Sequence, residues 1–399
     1  MGRAVTSVRT HAAHGLTLLT GGDALFAAMV AAMDAAQHEV CLETYIFQTE
    51  GAAEAVAHAL VRAAQRGVRV QVVVDGVGTG SMAEPWATRF IDAGVQLRVY
   101  APIHVLGLWV RSRWRRLHRK LCVVDGRIAF CGGINIQDDF LDPHVQGRLT
   151  SPRLDFAVSV QGPLVQEVRD TMVQLWSRIE AVRELRSQDV AGAYDALRDA
   201  DQTLKLQAHG STQLLLRDNV RHRTSIERAY RKAIGEARHE VVLATAYFFP
   251  GLRLRRALVL AAKRGVRVRL LLQGRYEYFL AYRASRQLYG QLLAAGVEIY
   301  EYEMSFLHAK VGVVDGRWAT VGSSNLDPFS LLLAREANVV VQDESFAHTL
   351  QTALLHAMDT GSTRVEPHSY LARSGWQRAV DALASAVLRF GVFLTGKRY

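Results

Sequence analysis

The chain has 399 residues, a formal net charge of +10 and 49% hydrophobic residues. This length and composition accommodate two globular domains with sizeable cores, and the positive charge favours a polyanionic partner, either nucleic acid or an anionic membrane surface. Three cysteines without metal-ligand spacing argue against a disulfide framework, so we expect reduced, buried thiols in a cytosol-facing protein. No uncharged apolar run reaches the ~18 residues that a membrane span needs, and the N-terminus lacks the apolar core of a signal peptide.

The first half of the sequence predicts alternating helices and strands. Residues 23–37 have helical apolar periodicity, and the strand-like run Val40–Phe47 follows them. A second helix, Ala52–Gln65, ends at Gly67, the residue type expected at a helix C-terminus, and the β-rich run Val68–Val74 comes next. Alternation of this kind predicts an α/β sandwich with a largely parallel or mixed sheet.

The second half repeats this order of elements. The corresponding segments are residues 225–238, Val241–Phe248, Leu252–Lys263 and Val266–Leu272. Short sequences such as Arg-Gly-Val-Arg-Val recur as well, so we expect a duplicated pair of domains. A charged helical stretch and a turn place the join near residue 206, which gives an N-terminal domain 1–205 and a C-terminal domain 206–399.

Each half also contains one copy of the same pattern of polar residues. The two copies have identical internal spacing, which is hard to obtain by chance. The first copy is His118-x-Lys120-x4-Asp125 followed by Gly132-Gly133-x-Asn135, and the second is His308-x-Lys310-x4-Asp315 followed by Gly322-Ser323-x-Asn325.

The spacing within each copy predicts a phosphate site. If Leu117–Val124 and Leu307–Val314 are strands, the His and Lys of each copy share a face about 7 Å apart at the backbone, close enough to hold one phosphate. The glycines that follow allow close backbone approach. Asn135, Asn325 and Ser323 are the candidate phosphate-binding residues.

Two such sets can perform phosphodiester chemistry if the halves pack around a pseudo-twofold axis. Two lysines and two asparagines would offset the charge on a pentacovalent phosphoryl transition state. One histidine would attack phosphorus to form a phosphohistidine. The other would protonate the leaving alcohol and then deprotonate the incoming one. This scheme needs no metal and no cofactor.

Carboxylates complete the predicted site. Asp155 and Glu336 lie shortly after their motifs, and each is a candidate for fixing the tautomer of a histidine, within its own half or across the interface. Asp125 and Asp315 belong to the repeated pattern and are candidate catalytic residues. Each is followed by glycine, however, and Asp-Gly is ordinary turn chemistry, so a structural role is equally compatible.

The repeated pattern resembles the signature of the phospholipase D superfamily, HxKxxxxD followed by G[GS]xN, over both halves. Further segments are similar to bacterial cardiolipin synthases of the short type without N-terminal membrane helices. These segments are Leu42–Phe47, Ala246–Gly251, and Arg217-Asp218-Asn219 ahead of Arg221-His222-Arg223.

The resemblance implies two duplicated phospholipase-D-like α/β/α sandwich domains, related by pseudo-twofold symmetry, with one shared active site. It implies transfer of a phosphatidyl group from one phosphatidylglycerol to another, giving cardiolipin and glycerol, with His118 as nucleophile and His308 as acid and base. The implied partners are an anionic phospholipid and the membrane surface, with nucleic acid disfavoured and no obligate protein partner. The implied location is peripheral, on the cytoplasmic face of the cell inner membrane.

Two further segments bear on lipid binding. Residues 103–116 form an insertion of the first half that contains two tryptophans and four arginines, a composition suited to an anionic headgroup zone, to a nucleic-acid groove or to a basic extension of the domain. Trp376–Leu394 predicts an apolar helix interrupted by charges, which suits either an interfacial helix or a helix docked on its own domain.

Two other functions are compatible with the motifs. A phospholipase-D-type phosphodiesterase, acting as a lipid hydrolase or a nuclease, would use the same residues with water as acceptor. A degenerate scaffold or membrane-binding protein is the third class, and the two intact motifs argue against it.

Overall fold

The computed structural model describes most of the chain. The described ranges are residues 15–102, 115–142, 147–187, 208–218, 222–275, 279–327 and 334–394, with Asp189 and Tyr194. Residues 103–114, which make up most of the insertion with tryptophans and arginines, lie outside these ranges. The join near residue 206 also lies outside them and stays a prediction.

The first half forms a seven-stranded mixed sheet in the order β1-β8-β7-β6-β2-β3-β4. Strands β2, β3 and β4 are parallel to one another, and the remaining neighbours are antiparallel. Its strands are β1 Thr17–Thr20, β2 Glu39–Thr44, β3 Arg69–Asp75, β4 Gln96–Tyr100, β6 Lys120–Val124, β7 Ile128–Gly132 and β8 Phe156–Gln161. The short strand β5, Arg116–Leu117, leaves this sheet and pairs with the second half.

The second half forms a larger sheet with the same central order. Among the described residues its path is β17-β13-β12-β11-β14-β15-β16-β10-β9, and β5 is added beside β16. Its strands are β9 Ala208–His209, β10 Thr212–Arg217, β11 Glu240–Thr245, β12 Arg267–Gln273, β13 Glu298–Tyr302, β14 Lys310–Val314, β15 Trp318–Gly322, β16 Ala334–Gln342 and β17 Ser362–Arg364. The run from β10 through β13 matches β1 through β4 of the first half, so the duplication holds strand by strand.

The predicted helices are present, with ends displaced by at most three residues at the repeated positions. The described helices are α1 Gly21–Asp34, α2 Glu54–Gln65, α3 Trp86–Ala93, α4 Leu164–Arg186, α5 Ser225–Glu236, α6 Leu252–Lys263, α7 Phe279–Ala294, α8 Glu344–Gly361, α9 Pro367–Leu371 and α10 Gly375–Leu394. Gly67 and Gly265, with φ of 86° and 90°, follow the C-cap residues of α2 and α6. Glycine adopts this left-handed conformation without the steric cost that other residues incur.

Strand alternation divides the buried side chains into layers. Val40 and Leu42 of β2 pack outward against α1 and α2, whereas Cys41 between them faces a central cluster. That central cluster joins the inner faces of both sheets with α4 and α8. Helices α5, α6 and α7 cover the outer face of the second sheet. The predicted fold class, two duplicated α/β/α sandwiches, is confirmed.

Two short backbone pairings cross from one half to the other near the repeated motifs. Arg116 and Leu117 of β5 run parallel to Ala334 and Arg335 of β16. In the reciprocal place Leu154 forms a parallel bridge with Leu307. Reciprocal pairings of this kind are expected of a pseudo-twofold axis. They bring His118 and His308, which follow the paired residues Leu117 and Leu307, to the same region.

Candidate active site

The two histidines stand just before the sheet strands rather than inside them. The predicted strands Leu117–Val124 and Leu307–Val314 are shorter than expected, because β6 begins at Lys120 and β14 at Lys310. The backbone N–H of His118 instead donates to the carbonyl of Arg335, at 3.0 Å, and that of His308 donates to the carbonyl of Leu154, at 2.9 Å. Each histidine is therefore held by the backbone of the opposite half.

Each histidine also contacts a carboxylate of the opposite half. Nδ1 of His118 lies 3.1 Å from Oε2 of Glu336, and Nδ1 of His308 lies 2.6 Å from Oδ2 of Asp155. Both carboxylates are almost fully buried. A hydrogen bond from Nδ1–H leaves Nε2 as the ring atom with the reactive lone pair. The pairing that the sequence left open thus crosses the interface in both directions.

The two lysines of the motifs lie beside the histidines and are buried. The ammonium group of Lys120 donates to the backbone carbonyl of His118 at 2.6 Å, and that of Lys310 donates to the carbonyl of His308. Nζ of Lys310 is also 3.9 Å from Oδ2 of Asp155. Nζ of Lys120 lies over the ring of Tyr45, 5.5 Å from its centroid. Two lysine side chains at one buried site suit a phosphate anion, whose charge favours their protonated form.

Sequence comparisons relate the chain to known proteins. A family model described as cardiolipin synthase, PLD-like domain, matches residues 29–176 and 230–358. Cardiolipin synthase B of Escherichia coli (strain K12) is 35% identical over 381 residues, covering 96% of this chain and 89% of the relative. Cardiolipin synthase of Geobacillus kaustophilus (strain HTA426) is 30% identical over 333 residues, covering 84% of this chain and 64% of the relative.

The chain belongs to the cardiolipin synthase family of phospholipase-D-like phosphatidyltransferases. Solved structures agree on the fold. Phosphatidylserine synthase of Haemophilus influenzae Rd KW20 superposes with a TM-score of 0.67 at 13% identity, covering 95% of this chain and 94% of that chain. Polyphosphate kinase from Porphyromonas gingivalis gives a TM-score of 0.56 at 13% identity, covering 94% of this chain and 53% of that chain.

The electrostatics of the two histidine–carboxylate pairs differ within this member of the cardiolipin synthase family. Burial opposes the Glu336 anion, but His118, Lys120 and Ser323 outweigh that effect and lower the pKa of Glu336. Burial raises the pKa of Asp155 to about 7, although Lys310 offsets part of the rise. The carboxylate facing His118 is therefore held ionised, whereas the one facing His308 can exchange a proton near neutrality.

Burial also shifts the basic groups of the site. It lowers the pKa of His118, which Glu336 partly counters, and lowers the pKa of Lys120 to about 7. The pKa of His308 falls well below its ordinary value, because burial and the charges of Lys310 and Lys120 all disfavour the imidazolium. Both imidazoles are therefore neutral at pH 7, the form that a nucleophile requires.

The three candidate phosphate ligands, Asn135, Asn325 and Ser323, have different surroundings. Asn135 and Asn325 are buried beside the ends of β2 and β11, where Oδ1 of Asn135 accepts from the backbone N–H of Ile46 at 3.3 Å. Ser323 is engaged elsewhere, because its hydroxyl donates to Glu336 and accepts from the backbone N–H of Ala337. We therefore reassign Ser323 from a phosphate ligand to a residue that positions Glu336.

Gly133 occupies the position in the first half that Ser323 occupies in the second. A Cβ atom at Gly133 would lie 2.4 Å from Oδ1 of Asp155, so only glycine leaves room for that carboxylate. The two halves therefore use matched pairs, glycine with aspartate in the first and serine with glutamate in the second. This explains why the motif differs between its copies.

The structure does not bring Asp125 and Asp315 to the histidines, and their catalytic assignment is corrected here. Each carboxylate accepts hydrogen bonds of 2.8–2.9 Å from three consecutive backbone N–H groups, those of residues 37–39 and 238–240. Both aspartates have a φ of 51° in a hairpin turn. The turn lies at the end of the strand opposite to the lysine, roughly 17 Å away at the ~3.4 Å rise per residue of a strand. Their role is to hold the first residues of β2 and β11.

Three residues near the histidines were not predicted as site residues. The ring of Tyr45 lies 5.0 Å from that of His118. Asp75 and Gln273, the last residues of β3 and β12, accept the backbone N–H groups of Leu117 and Leu307, at 2.7 and 2.8 Å. Alignment of the two repeats would have revealed Asp75 and Gln273, since each follows a repeated β-rich run.

Proposed function

We propose that this chain transfers a phosphatidyl group from one phosphatidylglycerol to another through a phosphohistidine, giving cardiolipin and glycerol. The observation that carries the proposal is the reciprocal pairing of His118 with Glu336 and of His308 with Asp155 across the two halves. It provides two histidines with defined tautomers at one site. Membership of the cardiolipin synthase family supports the choice of lipid.

In the first step Nε2 of His118 attacks the phosphorus of the donor lipid. The P–N bond forms as the bond between phosphorus and the glycerol oxygen breaks, and His308 gives its proton to that oxygen. The phosphodiester anion of the bound lipid favours the imidazolium of His308 that this step requires. The ionised Glu336 stabilises the positive ring of phosphorylated His118, which favours His118 as the nucleophile.

In the second step the hydroxyl of a second phosphatidylglycerol gives its proton to His308. Its oxygen attacks phosphorus, the P–N bond breaks, and the electron pair returns to His118. Lys120, Lys310, Asn135 and Asn325 are the groups that would bind the nonbridging oxygens in both transition states. Asp155, whose pKa is raised to about 7 by burial, suits a partner of a histidine that gains and loses a proton in each cycle.

A second candidate function is hydrolysis of the same lipid to phosphatidic acid. The side chains of His118 and His308 are 17% and 18% exposed, so water can reach the same imidazoles. Water would then take the place of the second lipid in the second step. Both reactions use one phosphohistidine and differ only in the acceptor.

We further propose that the protein acts peripherally at the cytoplasmic face of the cell inner membrane. No helix within the described ranges is long and apolar enough to cross a bilayer. Helix α10 docks on α7 through buried Asp381, which pairs with Arg283 and Arg373. Its outer face carries exposed apolar side chains at helical spacing, Trp376, Leu383, Val387 and Phe390. An apolar stripe beside exposed Arg378 and Arg389 suits an anionic lipid surface.

One assay tests the proposed reaction. Purified protein is incubated with phosphatidylglycerol in mixed micelles without added metal, and the products are followed. Cardiolipin with an equal amount of glycerol is the expected result. Phosphatidic acid without cardiolipin would instead establish the hydrolase, and cleavage of single-stranded DNA without lipid turnover would overturn the lipid assignment.

A further inference from the structure

Asp75 and Gln273 occupy equivalent positions in the two halves, each at the corner where a strand end meets the segment before a motif histidine. Each ends the second parallel strand of its sheet, and each accepts the backbone N–H of the leucine that precedes the catalytic histidine. A carboxylate oxygen performs this task in the first half and an amide oxygen in the second. The other polar atom of the side chain therefore differs between the halves: it is a second carboxylate oxygen in Asp75 and the amide nitrogen Nε2 in Gln273.

The first-half corner is closed by its own loop. The second carboxylate oxygen of Asp75 accepts from the backbone N–H groups of Val77 and Gly78, at 2.8 and 3.3 Å, and from Arg116 at 3.3 Å. The loop packs tightly on the next element, since a Cβ atom at Gly78 would lie 2.4 Å from the carbonyl oxygen of Tyr45. Both carboxylate oxygens of Asp75 are thus engaged by groups of the protein itself.

Among the described residues, the second-half corner is not closed in this way. Gln273 is only 7% exposed, yet within the described part of the chain its Nε2 has no hydrogen-bond partner. Its side chain lines a cleft between the ends of β11 and β12 and the first turns of α7, together with Tyr247, Arg275 and Tyr282. A buried amide N–H without an acceptor is unfavourable, so this donor points to a ligand with an oxygen at that place.

The cleft adjoins His308. Leu307, which precedes His308, donates to Gln273, and the backbone N–H of Ala246 in the cleft wall donates to the carbonyl of Ala309 at 3.1 Å. Arg275 in the same wall lies over the ring of Phe306, with 5.8 Å between its guanidinium carbon and the ring centroid. The two residues that flank His308 in the chain are thus bonded to the lining of the cleft, which places the cleft next to the backbone of the histidine that, in the proposed mechanism, deprotonates the acceptor.

We propose that this cleft binds the headgroup of the acceptor lipid, with Nε2 of Gln273 donating to an oxygen of its glycerol moiety. Arg275 supplies the positive charge for the phosphodiester of the same lipid. The bound hydroxyl passes its proton to His308 as its oxygen bonds to phosphorus and the P–N bond to His118 breaks. This inference rests on the proposed function, and it makes the site asymmetric, with the acceptor on the second-half side.

The substitution Gln273→Glu tests the donor selectively. It keeps an oxygen for the N–H of Leu307, as Asp75 does for Leu117, and removes the N–H donor. The assay supplies phosphatidylglycerol in micelles and isotopically labelled glycerol as soluble acceptor, with water competing to give phosphatidic acid. We expect the KM for glycerol to rise on the order of tenfold, the effect of losing one hydrogen bond to a substrate. The ratio of labelled phosphatidylglycerol to phosphatidic acid should fall accordingly.

The matched control is Gln287→Glu, the same change on the exposed side of α7. It should leave both the KM and the ratio at wild-type values. A Gln273→Glu enzyme with the wild-type KM and ratio would overturn the proposal. Because the ratio compares two products of one intermediate, it stays informative when a variant folds in lower yield.

Arg275→Gln provides a second, independent test. Free glycerol has no phosphate, so this variant should slow cardiolipin formation several-fold while transfer to labelled glycerol keeps its KM. Equal effects on both acceptors, or none on either, would contradict the assignment of Arg275. Wild-type enzyme that makes no cardiolipin would refute the proposed function itself, whereas active wild type with unaffected variants would refute only this subsite.

Discussion

Glu336 of the second half contacts Nδ1 of His118 in the first half at 3.1 Å, and the hydroxyl of Ser323 donates to the same carboxylate. Neither half can therefore orient its own histidine. The carboxylate is fully buried, so its charge acts on His118 without screening by water. The relationship makes the two domains one catalytic unit and leads to the first prediction.

Replacing Glu336 by Gln should keep the shape of the site but remove the charge that supports His118. We expect kcat to fall about 10²–10⁴-fold, as when a histidine in such a pair loses its carboxylate. Steady-state kinetics on phosphatidylglycerol measure the effect. Unchanged circular dichroism and melting temperature serve as the control, and a kcat within threefold of wild type would refute the orienting role.

Replacing Asp125 by Ala should destabilise the protein without removing a catalytic group. The carboxylate accepts three backbone N–H groups at the start of β2, far from the histidines. We expect a loss on the order of 1–3 kcal/mol in the free energy of unfolding, with kcat within about threefold of wild type under conditions where the variant is folded. Asp125→Asn, which retains an acceptor oxygen, should lose less. A large loss of kcat in a fully folded Asp125→Ala enzyme would restore the catalytic assignment.

Stability should depend on pH through Lys120. Burial lowers the pKa of Lys120 to about 7 in the folded protein, whereas an unfolded lysine titrates near ~10.4. Between these values the unfolded chain binds the extra proton, so the contribution of Lys120 to the free energy of unfolding rises as pH increases from about 7 to about 10. Denaturant titrations of wild type and Lys120→Met across this range measure the difference. Parallel pH profiles for the two proteins would contradict the pKa shift.

The outer face of α10 should hold the protein on anionic bilayers. Replacing Leu383, Val387 and Phe390 together by Gln removes three exposed apolar side chains and leaves buried Asp381 in place. We expect sedimentation with phosphatidylglycerol vesicles to fall at least tenfold, with turnover of a short-chain soluble lipid retained.

The matched control for that experiment replaces Ile91, Val182 and Leu185 by Gln, three exposed apolar residues on α3 and α4. Vesicle binding of this control should equal that of wild type. Equal loss in both triple variants would show that the exposed face of α10 has no special part in membrane binding.

The repeat made much of the fold predictable, because alternating helices and strands recur in both halves with the same short sequences. The His and Lys residues were identifiable since their chemistry and spacing are local. Asp155 and Glu336 were identifiable as orienting carboxylates, but the histidine that each one contacts was not, because His118 meets Glu336 only when β5 pairs with β16 of the other half. The roles of Ser323 and Gly133 likewise depend on carboxylates that approach from another strand, which a linear pattern does not encode.

The covalent intermediate is the central claim, and trapping it tests that claim most directly. A phosphatidyl ester with a p-nitrophenolate leaving group needs no proton from His308, so His308→Ala should form the intermediate and then stall. Mass spectrometry after an alkaline quench should find the phosphatidyl group on His118 in this variant and no adduct in His118→Ala. An adduct on His308 in His118→Ala, or turnover by His118→Ala at the wild-type rate, would contradict the account.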